Sequence, residues 1–448
     1  MVFLEIFPST GTTPHPGQPP RAGLPVKSII TLLKRPAYRT AAVSIILRCI
    51  QVLLSFLVTA ALARNLSVAE FGRVSAVIAT ASLVSVVVAM GLPSVLLRAA
   101  GAKSSYASRV RRTGAAWHLV ALVLVIESFP LAGADPKVYA AVLLGIFMSA
   151  VVFRAADLRA RGAVLSALTF EGIAPQLLSL VGFWIVIVYI GQDGSGITTN
   201  SLIGLILCAW FTSLLMIEVL CFKIRKPAPK TDQWGARPLR EGFDFLGTNV
   251  LIVVFAQLGF FATLLLSGDA ESGIYRIAAQ VASLSTLGAM ALSSAFSYRI
   301  PDLYSSGARE ELARICGKVA LGGAAFAALL LIFLTLAGMS IIVAAFGEEF
   351  SGAYEVILIL SATHLYTSLC GPAGTMLSLC GHPREVVLAM TCSIIVATIS
   401  SLVLTPEYGA TGSAMAYCLG AVLWSTLLTL RAKKILGIRS DALTFLRK

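Results

Sequence analysis

The chain has 448 residues, of which 57% are hydrophobic and only 13% are charged. A soluble domain carries about a quarter charged residues, so this chain cannot cover a water-exposed surface of its size. Its net charge is +13, but the basic residues lie in short segments between apolar runs and not among exposed aromatic residues, which argues against a nucleic-acid partner. The composition excludes a soluble protein and predicts one that lies in a lipid bilayer.

The first 39 residues differ from the rest of the chain. Six prolines between positions 8 and 25 indicate a disordered tail, and no secretory signal peptide is evident. Apolar residues at 26, 29, 30 and 33 fall on one helical face beside basic residues, which predicts a short helix on the membrane surface that ends at Pro36. We therefore assign 1–39 to a cytoplasmic tail with an interfacial helix.

Twelve apolar runs follow, each close to the roughly 20 residues that a membrane-spanning helix needs. The predicted spans are 40–63, 73–96, 114–133, 137–154, 164–190, 200–222, 244–266, 273–297, 319–345, 351–378, 386–404 and 409–431. The gaps between them are short and rich in turn residues. The predicted organisation is an N-lobe at 40–222, a basic cytoplasmic linker at 223–243, a C-lobe at 244–431 and a basic cytoplasmic tail at 432–448.

The distribution of basic residues tests this map. If the N-terminus is cytoplasmic, 30 of the 35 lysines and arginines lie in cytoplasmic segments, three lie outside and two lie within spans. Cytoplasmic loops carry such an excess, and a missed or added span would destroy the alternation. Both termini are therefore expected in the cytoplasm, with the chain in a bacterial inner membrane.

The short gaps limit the chemistry of the chain. They leave no room for an extracytoplasmic enzyme domain or for a cytoplasmic ATPase, and the segment 101–104 (GAKS) lacks the leading glycine of a nucleotide-binding loop. The four histidines and eight cysteines form no spacing typical of a catalytic or metal site. We expect no enzyme activity and no cofactor.

An internal repeat suggests how the spans are arranged. The segment 69–72 (AEFG) recurs at 270–273 (AESG), and 81–83 (ASL) recurs at 282–284, both with an offset of 201. The offset maps the second span onto the eighth, six spans later, so the two copies have the same orientation. The repeat predicts an all-α polytopic membrane protein with about 12 transmembrane helices in two parallel six-helix lobes.

Several loop segments resemble a known family. They are 63–72 (ARNLSVAEFG), 91–93 (GLP), 346–350 (FGEEF), 371–372 (GP), 381–382 (GH) and 408–414 (YGATGSA). Together they are similar to the Wzx-like oligosaccharide flippases of the polysaccharide transport family, whose superfamily also holds multidrug and lipid II exporters. The resemblance covers about 35–440, whereas the proline-rich start departs from the family pattern. It implies a central cavity between the lobes and the outward movement of a lipid-linked sugar.

Two polar strips lie within predicted spans. On the first span, Ser44, Arg48, Gln51 and Ser55 follow at helical spacing, and Arg48 lies on the order of 13 Å from Arg39 along the helix. A charge at that depth needs a partner or a cavity, and a guanidinium suits phosphate oxygens. We predict that this strip binds substrate; the alternative is a structural arginine satisfied by neighbours. Arg276 and Gln280 on the eighth span form a second candidate, unless Arg276 only reaches toward the outer surface.

Other residues are candidates for gating or coupling. Glu171, followed by the helix-breaking Pro175, has a similar predicted depth to Arg48, so the two are expected to approach each other in one conformation. They then form a gate or a proton-coupling site, or else a permanent ion pair that holds the first and fifth spans together. His364 could titrate or simply be buried, and the pair Gly371 and Pro372 predicts a break in the tenth span that acts as a hinge or a packing kink.

These observations favour a flippase that moves an undecaprenyl diphosphate type of lipid-linked oligosaccharide to the outer leaflet for polysaccharide biosynthesis. The expected partners are this substrate and the bilayer, together with polysaccharide polymerase and export proteins; H⁺ or Na⁺ coupling is left open. A multidrug or cation antiporter of the same superfamily is the main alternative, and a membrane-embedded glycan polymerase is a weaker one because the outer gaps are short.

Overall fold

The computed structural model describes residues 36–101, 106–128, 135–190, 198–224, 237–296 and 299–442. The predicted surface helix at 26–35 lies outside these ranges, as does most of the predicted linker. All of the secondary structure in the described residues is helical.

The first half of the chain forms eight helices and one wider turn. The helices are α1 (Pro36–Asn65), α2 (Val68–Ala89), α3 (Leu92–Gly101), α4 (Tyr106–Ser128), α5 (Pro136–Ala160), α6 (Val164–Leu168), α7 (Ala174–Ile190) and α8 (Thr199–Lys223). A π-helical turn, Thr169–Ile173, joins α6 to α7, so these three segments form one bent span.

The second half forms eight further helices. They are α9 (Pro238–Ser267), α10 (Asp269–Ser283), α11 (Leu287–Phe296), α12 (Ile300–Ser305), α13 (Arg309–Phe346), α14 (Ala353–Cys370), α15 (Ala373–Leu379) and α16 (Pro383–Leu436). A short 3₁₀ turn, Leu284–Thr286, joins α10 to α11.

Nine helical segments in the described residues are long and apolar enough to cross a membrane. The longest, α16, has 54 residues and is interrupted at Gly409, whose φ of 55° and ψ of −132° are not helical. This break separates the predicted eleventh and twelfth spans. The predicted third and eighth spans correspond to α4 and to α10 with α11, which are not among the nine, so the count of twelve stays a prediction.

The second span begins earlier than its predicted start at residue 73. Ser67 caps α2, because its side chain accepts a hydrogen bond from the Glu70 N–H, and the Glu70 carboxylate accepts one from the Ser67 N–H at 3.2 Å. This reciprocal arrangement fixes a helix start. The helix ends at Ala89 because Met90 takes a left-handed conformation with a φ of 47°.

The repeated segments meet in the structure. A Cβ on Gly72 would overlap the carbonyl oxygen of Asp269, and a Cβ on Gly273 would lie 2.5 Å from the carbonyl oxygen of Val68. Gly72 and Gly273 differ by 201 positions, as do Val68 and Asp269. Each contact is therefore the counterpart of the other, which is the reciprocity that a two-fold axis between α2 and α10 requires.

The two ends of the helix bundle are packed differently. We call the end where α1 begins and α16 ends the proximal end, and the opposite end the distal end. The largest hydrophobic core lies at the distal end and joins side chains of both halves, including Phe71, Phe346 and Phe350. Toward the proximal end, the buried clusters belong to single halves, except that Leu239 and Phe245 of α9 pack on the first half. The halves thus share their largest core distally, whereas proximally they meet at the start of α9, where Gly242 packs on Met90 and Glu241 pairs with Arg98.

Candidate functional site

Helix α1 has two contrasting faces. Its apolar face is exposed, with exposed fractions of 57, 39, 58 and 41% for Ile46, Ile50, Leu53 and Leu57. Its polar strip is only partly exposed and consists of Ser44, Arg48, Gln51, Ser55 and Thr59. Because apolar side chains are stable against lipid and polar ones are not, the exposed face suits the acyl chains and the strip faces other helices.

The strip contacts elements of both halves. The Gln51 side chain packs against Gly172 so closely that a Cβ at Gly172 would overlap it. One turn further, the Gln280 side-chain N–H₂ donates to the Ser55 hydroxyl at 3.4 Å. The strip therefore runs from the π turn of its own half to α10 of the other half, and two residues predicted on separate strips meet.

Pro175 explains the form of the bent span. A proline has no N–H to donate to the carbonyl four residues earlier, which here is that of Glu171. The helix responds with a wider turn, in which the Ala174 N–H donates to the Thr169 carbonyl five residues before it. The Ser213 hydroxyl of α8 donates to the Phe170 carbonyl at 3.0 Å. The π turn is thus fixed by its neighbour while it carries Glu171 toward α5.

Glu171 forms an ion pair with Arg159, the penultimate residue of α5. The side-chain exposure is 6% for Arg159 and 22% for Glu171. Arg48 stands one turn before Gln51, whose side chain packs on Gly172 beside Glu171, and its positive charge interacts unfavourably with that of Arg159. An approach of Arg48 to Glu171 stays a prediction, because the structure gives Glu171 this other partner.

Sequence reasoning missed a second polar network on α5. Asp157 is fully buried and pairs with Arg111 of α4 at 2.7 Å and with Arg161. Arg161 also donates to the Cys221 carbonyl of α8 at 2.8 Å. One carboxylate thus joins α4, α5 and α8 at the proximal end. The sequence did contain an indication of this network. Asp157 lies among Arg154, Arg159 and Arg161 at the end of the predicted fourth span, and a carboxylate among arginines is typical of ion pairs.

The C-half candidates are more dispersed. Arg276 is partly buried on α10, one turn before Gln280, and no ion-pair partner for it exists among the described residues. His364 is partly buried on α14, where its backbone carbonyl accepts a hydrogen bond from the Thr367 hydroxyl at 3.0 Å. Their substrate-binding and coupling roles stay predictions.

The predicted break at Gly371 and Pro372 is present. Helix α14 ends at Cys370, Gly371 has a φ of 74°, and α15 begins after Pro372. A Cβ on Gly371 would overlap the Ser440 carbonyl oxygen, and the Ser440 hydroxyl donates to the Cys370 carbonyl at 3.0 Å. The C-terminal segment therefore holds the break in place, so the contacts are as consistent with a packing kink as with a hinge.

Two basic residues at the distal end join the halves. The Arg64 guanidinium donates to the Ala344 and Ala345 carbonyls at the C-terminal end of α13. Arg73 of α2 lies 4.0 Å from the Asp269 carboxylate of α10. A cation at a helix C-terminus is favourable because it complements the helix dipole. These contacts, together with the shared core, close the distal end.

Several solved structures have an architecture similar to that of this chain. An inward-facing multidrug resistance MATE family transporter of the MOP superfamily matches with a TM-score of 0.67 at 13% identity, over 86% of this chain and 94% of that one. Lipid II flippase MurJ in an inward closed conformation matches with a TM-score of 0.62 at 13% identity, over 88% of this chain and 87% of that one. The bent form of the Vibrio cholerae MATE transporter VcmN matches with a TM-score of 0.60 at 17% identity, over 94% and 100%.

No family model matches the chain, and no curated protein does either. At these identities, the structural matches establish the fold. The chain is a multi-pass membrane protein with the fold shared by MATE transporters and MurJ, and its structural neighbours are transporters rather than enzymes.

Proposed function

We propose that this protein is a flippase that moves an oligosaccharide linked to undecaprenyl diphosphate from the cytoplasmic to the outer leaflet of a bacterial inner membrane, for polysaccharide biosynthesis. The observation that carries this proposal is the position of Arg48, a partly buried guanidinium on a polar strip that runs from the π turn of its own half to α10 of the other half. The resemblance to Wzx-like flippases supports the same substrate class.

The energetic argument concerns the cost of a charge in the bilayer. An arginine at bilayer depth costs at least ~2.5–3.5 kcal/mol on insertion scales, so a folded protein keeps one where it has a use. An anionic head group that leaves water loses its hydration, and a fixed positive charge offsets part of that loss. Each phosphoryl group of a diphosphate offers two oxygen acceptors that match the two-pronged donor set of a planar guanidinium. Arg48 then supplies the contact, and Gln51, Ser44, Ser55, Arg276 and Gln280 add hydrogen bonds.

The distribution of basic residues supports a cytoplasmic position for the proximal end and for both termini. Because the distal end is closed by a shared core, the proposal places the opening between the halves on the cytoplasmic side, beside the α9 contact, where the lipid-linked sugar is made. Transport requires the distal contacts to open and the proximal ends to close. In this alternating access, Glu171, Pro175, His364, Gly371 and Pro372 are the candidates for gating or coupling.

The driving force needs no nucleotide. Moving one charge through 100 mV corresponds to ~2.3 kcal/mol, and a lipid diphosphate carries about two negative charges. A negative-inside potential therefore favours outward movement of an uncompensated head group. Counter-movement of H⁺ or Na⁺ is an alternative, and consumption of the product by polysaccharide polymerase and export proteins would pull in the same direction.

A multidrug or cation antiporter is the second candidate. The fold match to MATE transporters favours it, and Glu171 supplies an acidic group near the strip. However, a cation substrate would prefer acidic residues, whereas Arg48 and Arg159 outnumber the carboxylate here. The two functions differ in their response to Arg48→Gln, which should abolish export of an anionic lipid and improve or spare binding of a cation.

The proposal is tested by deleting the gene and analysing lipid-linked sugars. We expect a lipid-linked oligosaccharide to accumulate on the cytoplasmic leaflet and surface polysaccharide to be lost. Unchanged surface polysaccharide with increased sensitivity to cationic drugs would instead support the antiporter.

Complementation of the deletion strain tests the role of Arg48 directly. The wild-type gene should restore surface polysaccharide, whereas Arg48→Gln should not, although the protein should still reach the membrane. Arg112→Gln is the matched control, because Arg112 is an exposed arginine on α4 outside the strip. It should restore surface polysaccharide fully.

A further inference from the structure

Among the charged residues of α5, Arg159 is unusual because it is buried and one of its hydrogen-bond donors has no partner among the described residues. Only 6% of its side chain is exposed, and its ion pair with Glu171 uses one end of the guanidinium. The other terminal nitrogen, Nη1, is buried and has no hydrogen-bond partner among the described residues. Buried donors are nearly always paired, so an unmet donor inside a protein needs an explanation.

The neighbouring charges on α5 do not share this feature. Asp157 is satisfied by two arginines, and Arg154 pairs with Glu218 of α8. At Arg159, by contrast, the partner is Glu171, and α1 packs beside this pair through Gln51, one turn from Arg48, whose positive charge acts unfavourably on Arg159. Arg48 and Arg159 thus contribute two positive charges beside the one carboxylate of Glu171, and Arg159 has a donor left over.

The position of this cluster links it to the polar strip. Gln51, one turn beyond Arg48, packs on Gly172, the residue that follows Glu171. Glu171 itself lies on the π turn, a form of helix that is frequent at functional sites. The cluster is therefore continuous with the polar strip of α1, and Arg159 of α5 adds a second guanidinium to it.

A diphosphate matches what this cluster offers. Its two phosphoryl groups present acceptor oxygens on both sides of the bridging oxygen, so each phosphoryl group can take one guanidinium fork. It carries more negative charge than a carboxylate and would compete with Glu171 for Arg159. The donor at Nη1 would then gain a partner.

We infer that Arg48 and Arg159 form one two-guanidinium site for the diphosphate of the transported lipid, and that Glu171 holds Arg159 until the diphosphate replaces it. This inference rests on the proposed function and adds to it a second binding residue and an internal competitor. Glu171 keeps the empty site closer to neutrality and, by returning to Arg159, helps to release the lipid on the outer side.

The experiment measures binding to the purified full-length protein in detergent. The probe is geranylgeranyl diphosphate, and geranylgeraniol, which has the same chain without charge, corrects for binding of the isoprenoid. We expect Arg159→Gln to weaken diphosphate binding about tenfold, which corresponds to the loss of one charge-assisted contact. Arg48→Gln should weaken it similarly, and Arg112→Gln should leave it unchanged.

Glu171→Gln separates this inference from a structural role for the pair. If Glu171 competes with the diphosphate, its loss should tighten binding roughly threefold or more, whereas a purely structural pair predicts unchanged or weaker binding. Arg159→Lys covers the case in which Arg159→Gln does not fold. It keeps the charge and loses the fork, so binding should weaken by less than in Arg159→Gln.

The outcomes distinguish the inference from the proposed function. If the wild-type protein binds the diphosphate over geranylgeraniol but Glu171→Gln does not tighten binding and the Arg159 variants do not weaken it, the inference is overturned and the flippase proposal stands. If the wild-type protein does not prefer the diphosphate, both are overturned.

Discussion

At the scale of single residues, two groups on α5 make opposite use of buried charge. Asp157 is fully buried and compensated by Arg111 and Arg161, so it ties helices together. Arg159, two positions later, has one carboxylate partner and a donor to spare. The first arrangement is typical of a structural network, and the second supports the ligand site that we infer at Arg159.

We predict that Asp157→Asn destabilises the protein by about 3–5 kcal/mol, because it leaves two guanidinium groups without their buried carboxylate. Thermal unfolding in detergent measures the effect as a lower melting temperature. The control is Glu311→Gln, whose exposed pair with Arg299 should contribute about 0–1 kcal/mol. Equal melting temperatures for the two variants would contradict the structural role of Asp157.

The sequence located Arg48 but not Arg159. Arg48 stands alone in an apolar run, so its depth and its helical spacing to Gln51 and Ser55 could be derived without a structure. Arg159 lies in a basic run that the charge count assigned to a cytoplasmic loop, because the fourth span was expected to end at 154. Helix α5 continues to Ala160, and only the packing of α5 on the π turn reveals that Arg159 contacts Glu171.

At the scale of secondary-structure elements, the breaks in the helices organise the molecule. Pro175 produces the π turn, Gly371 ends α14, and Gly409 divides α16. The Glu271 carboxylate accepts the Ala410 N–H at 2.8 Å, which caps the helix that follows Gly409. Proline and glycine indicated each break in the sequence, but the form of each break depends on a partner from a distant element.

Pro175→Ala tests the role of the π turn. An alanine restores the missing N–H, so we expect the span to contract to a regular α-helix, which rotates Glu171 by about 100° relative to α7. The Arg159–Glu171 pair should break, and export should fall while the melting temperature stays the same or rises. Complementation of the deletion strain measures export.

The control for this change is Pro93→Ala, since Pro93 occupies the first turn of α3, where a proline is tolerated. It should leave export unchanged. Full export by Pro175→Ala would show that the π turn is not needed for transport.

Gly72→Ala tests the crossing of α2 and α10. The added Cβ meets the backbone carbonyl of Asp269, which cannot move without shifting α10. We expect a clearly lower melting temperature and loss of export. Gly204→Ala on α8 is the control, because a Cβ there meets nothing within 4 Å. If Gly72→Ala were as stable as Gly204→Ala, the two helices would not cross as described.

At the scale of the whole molecule, the distal end explains two exceptions to the charge pattern. Three basic residues fall outside the predicted cytoplasmic segments and spans, and two of them, Arg64 and Arg73, join the halves. The internal repeat predicted two related lobes, and the reciprocal contacts of Gly72 and Gly273 agree with it. The sequence did not reveal which end is closed, because that depends on which side chains of the two halves share a core.

The distal contacts should control opening toward the outside. We predict that Arg64→Ala exposes this interface, because it removes the guanidinium that binds the end of α13. In a cysteine-free background, Ser272→Cys reports on it, since Ser272 is fully buried on α10. Labelling by a membrane-impermeant maleimide should be slow in the background protein and several-fold faster after Arg64→Ala, whereas Arg112→Gln should not change it. Rapid labelling before any further change would contradict a closed distal end.

The most direct test of the account is flipping in reconstituted vesicles. The lipid is a fluorescent sugar linked to undecaprenyl diphosphate, and its appearance in the other leaflet is followed with an impermeant quencher. We expect the wild-type protein and Arg112→Gln to move the lipid, and Arg48→Gln to move it no faster than protein-free vesicles do. Movement by Arg48→Gln at the wild-type rate, or no movement by the wild-type protein, would contradict the claim that a guanidinium within the bundle carries an anionic head group across the membrane.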